Sequence, residues 1–268
     1  MAETFDLIVR GGTCILPGLT GRADIGLRDG KIAALGDLGD AVAEDELDAA
    51  GLHVLPGVID TQVHFREPGL EYKEDFSTGT AAAALGGVTA VFEMPNTKPA
   101  TLSAADLADK CRRAKDRAWV HMAFYMGAAA ENVENLGELE RLPGCAGVKI
   151  FMGSSTGSLL VADDATLSQV LANGTRRCAI HCEDEARLIE RRPLADGQGG
   201  VHRHPDWRDV ETALTATRRL LKLARGLKRR VHVLHVTTAE ELDLLAEYKD
   251  IASVEATPQH LTLCAPDA

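Results

Sequence analysis

The chain has 268 residues, 45% hydrophobic and 26% charged, which is ample material for a sizeable core. Its formal net charge of −11 argues against a nucleic-acid binder, which would carry basic stripes, and no apolar run approaches the ~20 residues that span a bilayer. The first residues, Met1 to Asp6, lack the basic and apolar regions of a signal peptide. Six cysteines without a C-x-x-C pair read as reduced, buried small residues, so a cytoplasmic protein is expected.

In chain order, residues 1–57 read as a small β unit. Leu7-Ile8-Val9 leads to Gly11-Gly12, Asp24–Leu27 to a turn at Asp29-Gly30, and Lys31–Gly36 follows. Short apolar runs punctuated by Gly and Asp are hairpin chemistry. Leu55-Pro56-Gly57 closes the unit, taken as a β-sandwich portion.

Residues 58–268 then alternate strand and helix. Apolar runs fall at Val54–Ile59, Val88–Phe92, Trp119–Met126, Ala146–Met152, Cys178–His181, Val231–Val236 and Ile251–Val254. Helical patterns lie between them at Ser103–Lys115, Asp164–Leu171, Val210–Leu223 and Ala239–Tyr248, two of which open with capping-box spacing, Ser103-x-x-Asp106 and Thr238-x-x-Glu241. The basic cluster from Arg218 to Arg230 has Leu at helical spacing and reads as a solvated helix face. This rhythm predicts βαβ units and a parallel sheet. Polar residues at several strand ends favour a (β/α)8 TIM-like barrel over an open doubly wound sheet. No phosphate-binding glycine loop is present, and Gly153-Ser154-Ser155-Thr156-Gly157 lacks the Lys such a loop requires. Seven strands are one short of a closed barrel of about 250 residues, so a chain truncated after Ala265–Ala268 is expected.

Strand alternation nominates the chemistry. In Asp60-Thr61-Gln62-Val63-His64-Phe65, the residues Asp60, Gln62 and His64 share one face. Val148, Ile150 and Met152 take the helix-facing side, which turns Lys149 inward. His181 lies opposite Cys178 and Ile180. His235 is placed inward with Val231 and Val233, and His232 toward the helices. His64, Lys149, His181 and His235 can therefore converge at one barrel mouth. Each has a structural alternative: a hydrogen-bonded core histidine, or a lysine paired with Glu93, Glu183 or Asp184. His260 is left open.

Taken together, Asp60–Gly69, Met94-Pro95-Asn96-Thr97-Lys98-Pro99, Gly147–Phe151, His181–Asp184 and His235–Thr238 resemble the cyclic amidohydrolases along essentially the whole chain. His-Phe-Arg-Glu-Pro-Gly with Met-Pro-Asn-Thr is most similar to dihydroorotase, with hydantoinase and allantoinase as relatives. The resemblance implies zinc-dependent, reversible hydrolysis of dihydroorotate to N-carbamoyl-aspartate, a step of pyrimidine biosynthesis. It implies one or two Zn2+ ions: His64 on the first metal, a carboxylated Lys149 bridging, and His181 and His235 on the second. Arg66 and Asn96 would bind the substrate carboxylate, Arg66 by a fork that Lys could not reproduce. It also implies a homo-oligomer.

Two departures stand out. Gln62 occupies the place of the family's first His, and an amide oxygen is a poor zinc ligand beside imidazole. The family's eighth-strand Asp falls beyond residue 268, so the catalytic residue is unknown. The alternatives are a non-catalytic subunit assembling with aspartate transcarbamoylase, and a hydantoinase or allantoinase.

Overall fold

The computed structural model describes residues 3–155, 159–196 and 200–264. Thr156 and Gly157 of the polar loop, and the last four residues where truncation was expected, lie outside them. The chain divides into two compact units, one ending at Val58 and the other beginning at Ile59.

The first unit is one mixed sheet of five strands, β1 (Thr4–Leu16), β2 (Leu19–Arg28), β3 (Lys31–Gly36), β4 (Val42–Asp48) and β5 (His53–Val54). Strands β2 and β3 pair antiparallel with Arg28 opposite Lys31, so the loop is Asp29-Gly30 alone. Both loop residues have positive φ (53° and 69°), the backbone of the tight turn whose twist matches a hairpin. Strand β4 returns parallel to β1 on its other edge.

The second unit holds seven strands: β6 (Val58–Val63), β7 (Val88–Glu93), β8 (His121–Gly127), β9 (Cys145–Phe151), β10 (Cys178–His181), β11 (Val231–Val233) and β12 (Ala252–Val254). They are hydrogen-bonded in sequence order, from β6 at one edge to β12 at the other. Helices α1 (Phe76–Leu85), α2 (Ala104–Ala114), α3 (Leu136–Leu139), α4 (Asp164–Ala172), α5 (Glu185–Ala195), α6 (His204–Trp207), α7 (Val210–Gly226), α8 (Ala239–Ala246) and α9 (Pro258–Thr262) fall between and after them. This is a TIM-type barrel sheet, curled and open. The two capping signals sit where the sequence placed them. Ser103 and Asp106 cap α2 reciprocally, and the Thr238 hydroxyl accepts from the Glu241 N–H at the start of α8. Strand β6 begins where the expected Val54–Ile59 run ends, because Pro56-Gly57 interrupts that run.

Side chains sort into two layers. Val91, Phe124, Met126, Val148, Ile150, Cys178, Ile180, Val231 and Val233 join Leu107, Leu167, Val170, Leu220 and Leu221 of the helices in the main core. On the concave side, Phe92, Tyr125, Ala146, Ala179 and His232 come from five consecutive strands and line one cavity of about 210 Å3. No helix among the described residues is long and apolar enough to cross a membrane.

Two expectations from strand alternation are corrected here. Val231 and Val233 face the helices, and His232 faces inward, the reverse of the sequence reading. The three-residue strand β11 ends before His235, so counting parity onward from it fails. Thr61, expected to point away from the mouth-facing set, lines the inner cavity and donates to Glu255 Oε2 at 2.9 Å.

Candidate metal centre

Lys149 reaches the interior through an irregularity in β9. Phe124 pairs with Cys145 and Tyr125 with Gly147, which leaves Ala146 as an extra residue. Gly147 takes φ +153°, which L side chains rarely adopt, and its missing side chain leaves room for the Arg177 carbonyl, 3.1 Å from where a Cβ would stand. A bulge shifts side-chain parity by one. Ala146 and Lys149 therefore both face inward, though they are three apart.

The Lys149 amine is fully buried and has no hydrogen-bond partner among the described residues. It lies 4.4 Å from the centroid of the Phe151 ring. Burial drives its pKa down to about 7, slightly offset by Cys182 and Glu255. None of the three carboxylates considered as its partner bonds to it. Glu93 holds the Phe65 N–H at 2.8 Å, Glu183 pairs with His181, and Asp184 caps α5 while pairing with Arg219.

His181 sits at the end of β10, directly beside Phe151 in register. Its Nδ1 is 3.1 Å from His235 Nε2, and the two rings meet edge to face with centroids 5.0 Å apart. His235 arrives there through a left-handed backbone (φ 39°) just past the end of β11, a feature that alternation could not foresee. Burial is the first cause that lowers both imidazole pKa values, His235 to about 2. His64, beyond the end of β6, is pushed down to about 3 by burial, then by Arg66 and Lys149, while a hydrogen bond with Asn96 opposes the shift. Lys149 acts electrostatically on all three histidines, and of the four residues named from sequence it is His181 and His235 that meet directly. Burial thus favours the uncharged form of all three rings, the state a metal ligand requires.

No group of three His, Cys, Asp or Glu side chains among the described residues is arranged to hold a metal ion. His181 and His235 nevertheless fit one cation. Two zinc–nitrogen bonds of tetrahedral geometry put their nitrogens about 3.3 Å apart, close to the observed 3.1 Å. For Lys149 to add an anionic oxygen beside them, its buried amine would have to become a carbamate. His64 hydrogen-bonds with Asn96 instead. Gln62 is half-buried, and its backbone N–H donates to the Asp60 carboxylate at 2.9 Å.

The Arg66 loop is built by tertiary contacts. Arg66 has φ 66°, and its Nη1 is buried without a hydrogen-bond partner among the described residues. Glu93 fixes the neighbouring backbone, while the Lys110 ammonium, itself buried, donates to the Met94 carbonyl at 3.0 Å. The Lys98 N–H donates to the Pro68 carbonyl at 2.9 Å, which joins the Arg66 and Asn96 loops. Asn96 is buried beside His64.

Sequence reasoning passed over Arg208, Trp207 and the role of Glu183. Together with His181 and His235 they line a cavity of about 480 Å3. The available signal was Glu183, two residues beyond a candidate ligand. Arg208 carried none.

Residues 51–161 match the family described as Dihydro-orotase-like. Among curated relatives, an allantoinase of Deinococcus radiodurans is 33% identical over 98% of this chain and 61% of its own length. An allantoinase of Escherichia coli O1:K1 is 34% identical over 97% of this chain and 60% of its own. Among solved structures, the L-hydantoinase (dihydropyrimidinase) from Arthrobacter aurescens superposes with a TM-score of 0.87 at 27% identity, covering 95% of this chain and 59% of that one. A D-hydantoinase gives a TM-score of 0.86 at 27% identity, covering 97% and 59%. The chain thus spans about three fifths of the length of the relatives it matches. The named relatives are allantoinases and hydantoinases, which shifts the weight from dihydroorotase to the wider group of cyclic amidohydrolases.

Proposed function

We propose that this chain carries the metal-binding part of a cyclic amidohydrolase, which opens a small ring by hydrolysing a ring amide. The observation that supports it is the His181–His235 pair, within the electrostatic reach of a buried Lys149 amine that has no hydrogen-bond partner among the described residues. A neutral buried amine can add CO2 and release a proton, which turns a donor without charge into an anion suited to a divalent cation. Zinc held by Lys149, His181 and His235 would supply Lewis acidity toward a ring carbonyl. The protein's own contribution is to keep the imidazoles uncharged and to aim two ring nitrogens at one point. The His181–His235 pair also weighs against the non-catalytic reading, and none of the named relatives suggests aspartate transcarbamoylase as a partner. The relatives' names favour a cyclic ureide as substrate.

A second reading, dihydroorotate, is favoured by one observation. Arg66 keeps a buried guanidinium nitrogen without a partner among the described residues, which a substrate carboxylate could satisfy. The test is zinc content after incubation with zinc and bicarbonate, followed by ring-opening assays on hydantoin, allantoin and dihydroorotate. We expect about one zinc per chain, lost in His181→Ala and Lys149→Ala. A wild-type chain that takes up no zinc would overturn the proposal. Arg66→Met should abolish dihydroorotate binding if the acidic ring is the substrate; unchanged affinity excludes it.

A further inference from the structure

We propose that Glu183 and Arg208 are positioning residues that fix the tautomer and direction of the His181 ring for cation binding. The inference rests on the reading that His181 and His235 hold a cation. Glu183 Oε2 lies 2.6 Å from His181 Nε2. An ionised carboxylate can only accept, so this contact places the imidazole proton on Nε2 and leaves Nδ1 as the unprotonated nitrogen, an acceptor. Nδ1 is the atom aimed at His235 Nε2, 3.1 Å away. With the proton on Nδ1 instead, an N–H would point where the cation belongs.

Glu183 holds this position because Arg208 is itself fixed on three sides. Its Nη1 donates to the same Glu183 Oε2, and its Nη2 donates to the Ser154 carbonyl at 2.9 Å. Its guanidinium carbon lies 4.3 Å from the centroid of the Trp207 ring, whose Nε1–H donates to the Leu188 carbonyl at 2.8 Å. The next residue, Asp209, accepts from Arg187 at 2.9 and 2.6 Å and from the Thr212 N–H at 3.0 Å. The guanidinium thereby ties the segment after β9, the segment after β10 and the start of α7. A planar fork can hold a carboxylate and a carbonyl at once, which a lysine ammonium cannot do in the same geometry. A carboxylate behind a ligating histidine also raises its basicity, and removing such a partner typically lowers metal affinity about 10–100-fold.

The experiment titrates the full chain with zinc against a chelator of known affinity, and reads the histidine ring 15N signals of the metal-free protein. In the wild type His181 should show one tautomer, protonated at Nε2. Glu183→Ala should lose that preference and bind zinc about 10–100-fold more weakly. Glu183→Gln, whose amide oxygen still accepts from Nε2–H, should keep the tautomer and lose less affinity. Arg208→Lys should weaken zinc binding through the freed carboxylate. A merely structural role would not separate Gln from Ala at position 183 in the tautomer signal. Zinc affinity or tautomer unchanged in Glu183→Ala overturns this inference alone. A wild-type chain that binds no zinc removes the cation reading and this inference with it.

Discussion

Lys149 is the residue where function and stability oppose each other. A buried amine without a partner costs folding free energy, and burial has lowered its pKa from 10.5 to about 7. Between those values the unfolded chain binds a proton that the folded chain does not. In metal-free protein and CO2-depleted buffer, this residue therefore makes stability rise with pH from about 7 to 10.5. Lys149→Met keeps the volume and removes the amine. It should raise stability by about 1–3 kcal/mol near pH 7, an advantage that shrinks toward pH 10, while zinc uptake is lost. Urea melts at several pH values check the first expectation and elemental analysis the second. The inward placement of Lys149 was legible in sequence from Val148, Ile150 and Met152 on the opposite face. Its lack of a partner was not, because Glu93, Glu183 and Asp184 are claimed by groups distant in sequence.

At the scale of elements, local signals were legible where they are self-contained. The Asp29-Gly30 turn and the Ser103–Asp106 cap need only a few adjacent residues, and both are present. Helix α1 escaped notice because its run of Gly, Thr and Ala carries no apolar stripe, although Asp75 and Thr78 cap it reciprocally. His235 was nominated through a strand parity that the structure reverses, and it meets His181 through a left-handed backbone beyond β11 instead. Helix α7 offers a test of how such elements are anchored. Asp209 caps it and pairs with Arg187, which is the largest cause holding its carboxyl well below the usual range. Asp209→Ala should cost about 1–2 kcal/mol at pH 7. A lowered carboxyl pKa stabilises above the unfolded value of 3.8 and is lost as pH falls below it. The gap between wild type and variant in urea melts should therefore narrow toward pH 3; a gap independent of pH would assign the effect to packing.

At the scale of the barrel unit, strand order and helix alternation followed from the rhythm of apolar runs, but the curl of the sheet did not. Strands β6 and β12 are opposite edges of the hydrogen-bonded order, yet Thr61 of β6 donates to Glu255, next to β12, at 2.9 Å across 194 residues of sequence. The same carboxylate lies 3.1 Å from His232 Nε2, and the other ring nitrogen of His232 is 2.8 Å from Ser253 Oγ. Its second oxygen accepts weakly, at 3.4 Å, from the backbone N–H of His235. Glu255 thus connects both edges of the sheet to the turn that carries one candidate ligand. A single partly buried hydrogen bond of this kind contributes about 0.5–1.5 kcal/mol. A cycle of Thr61→Val, Glu255→Gln and the double variant should return coupling of that size. Glu255→Ala should cost more than Thr61→Val, because it also removes the acceptor facing His232. If the contact holds the curl, hydrogen exchange in Thr61→Val should quicken in β6 and β12 together while β8 and β9 stay protected. Faster exchange in β6 alone would mean that the two edges are held independently, and that the sheet keeps its curvature through the inner layer of Phe92, Tyr125 and Ala179 instead.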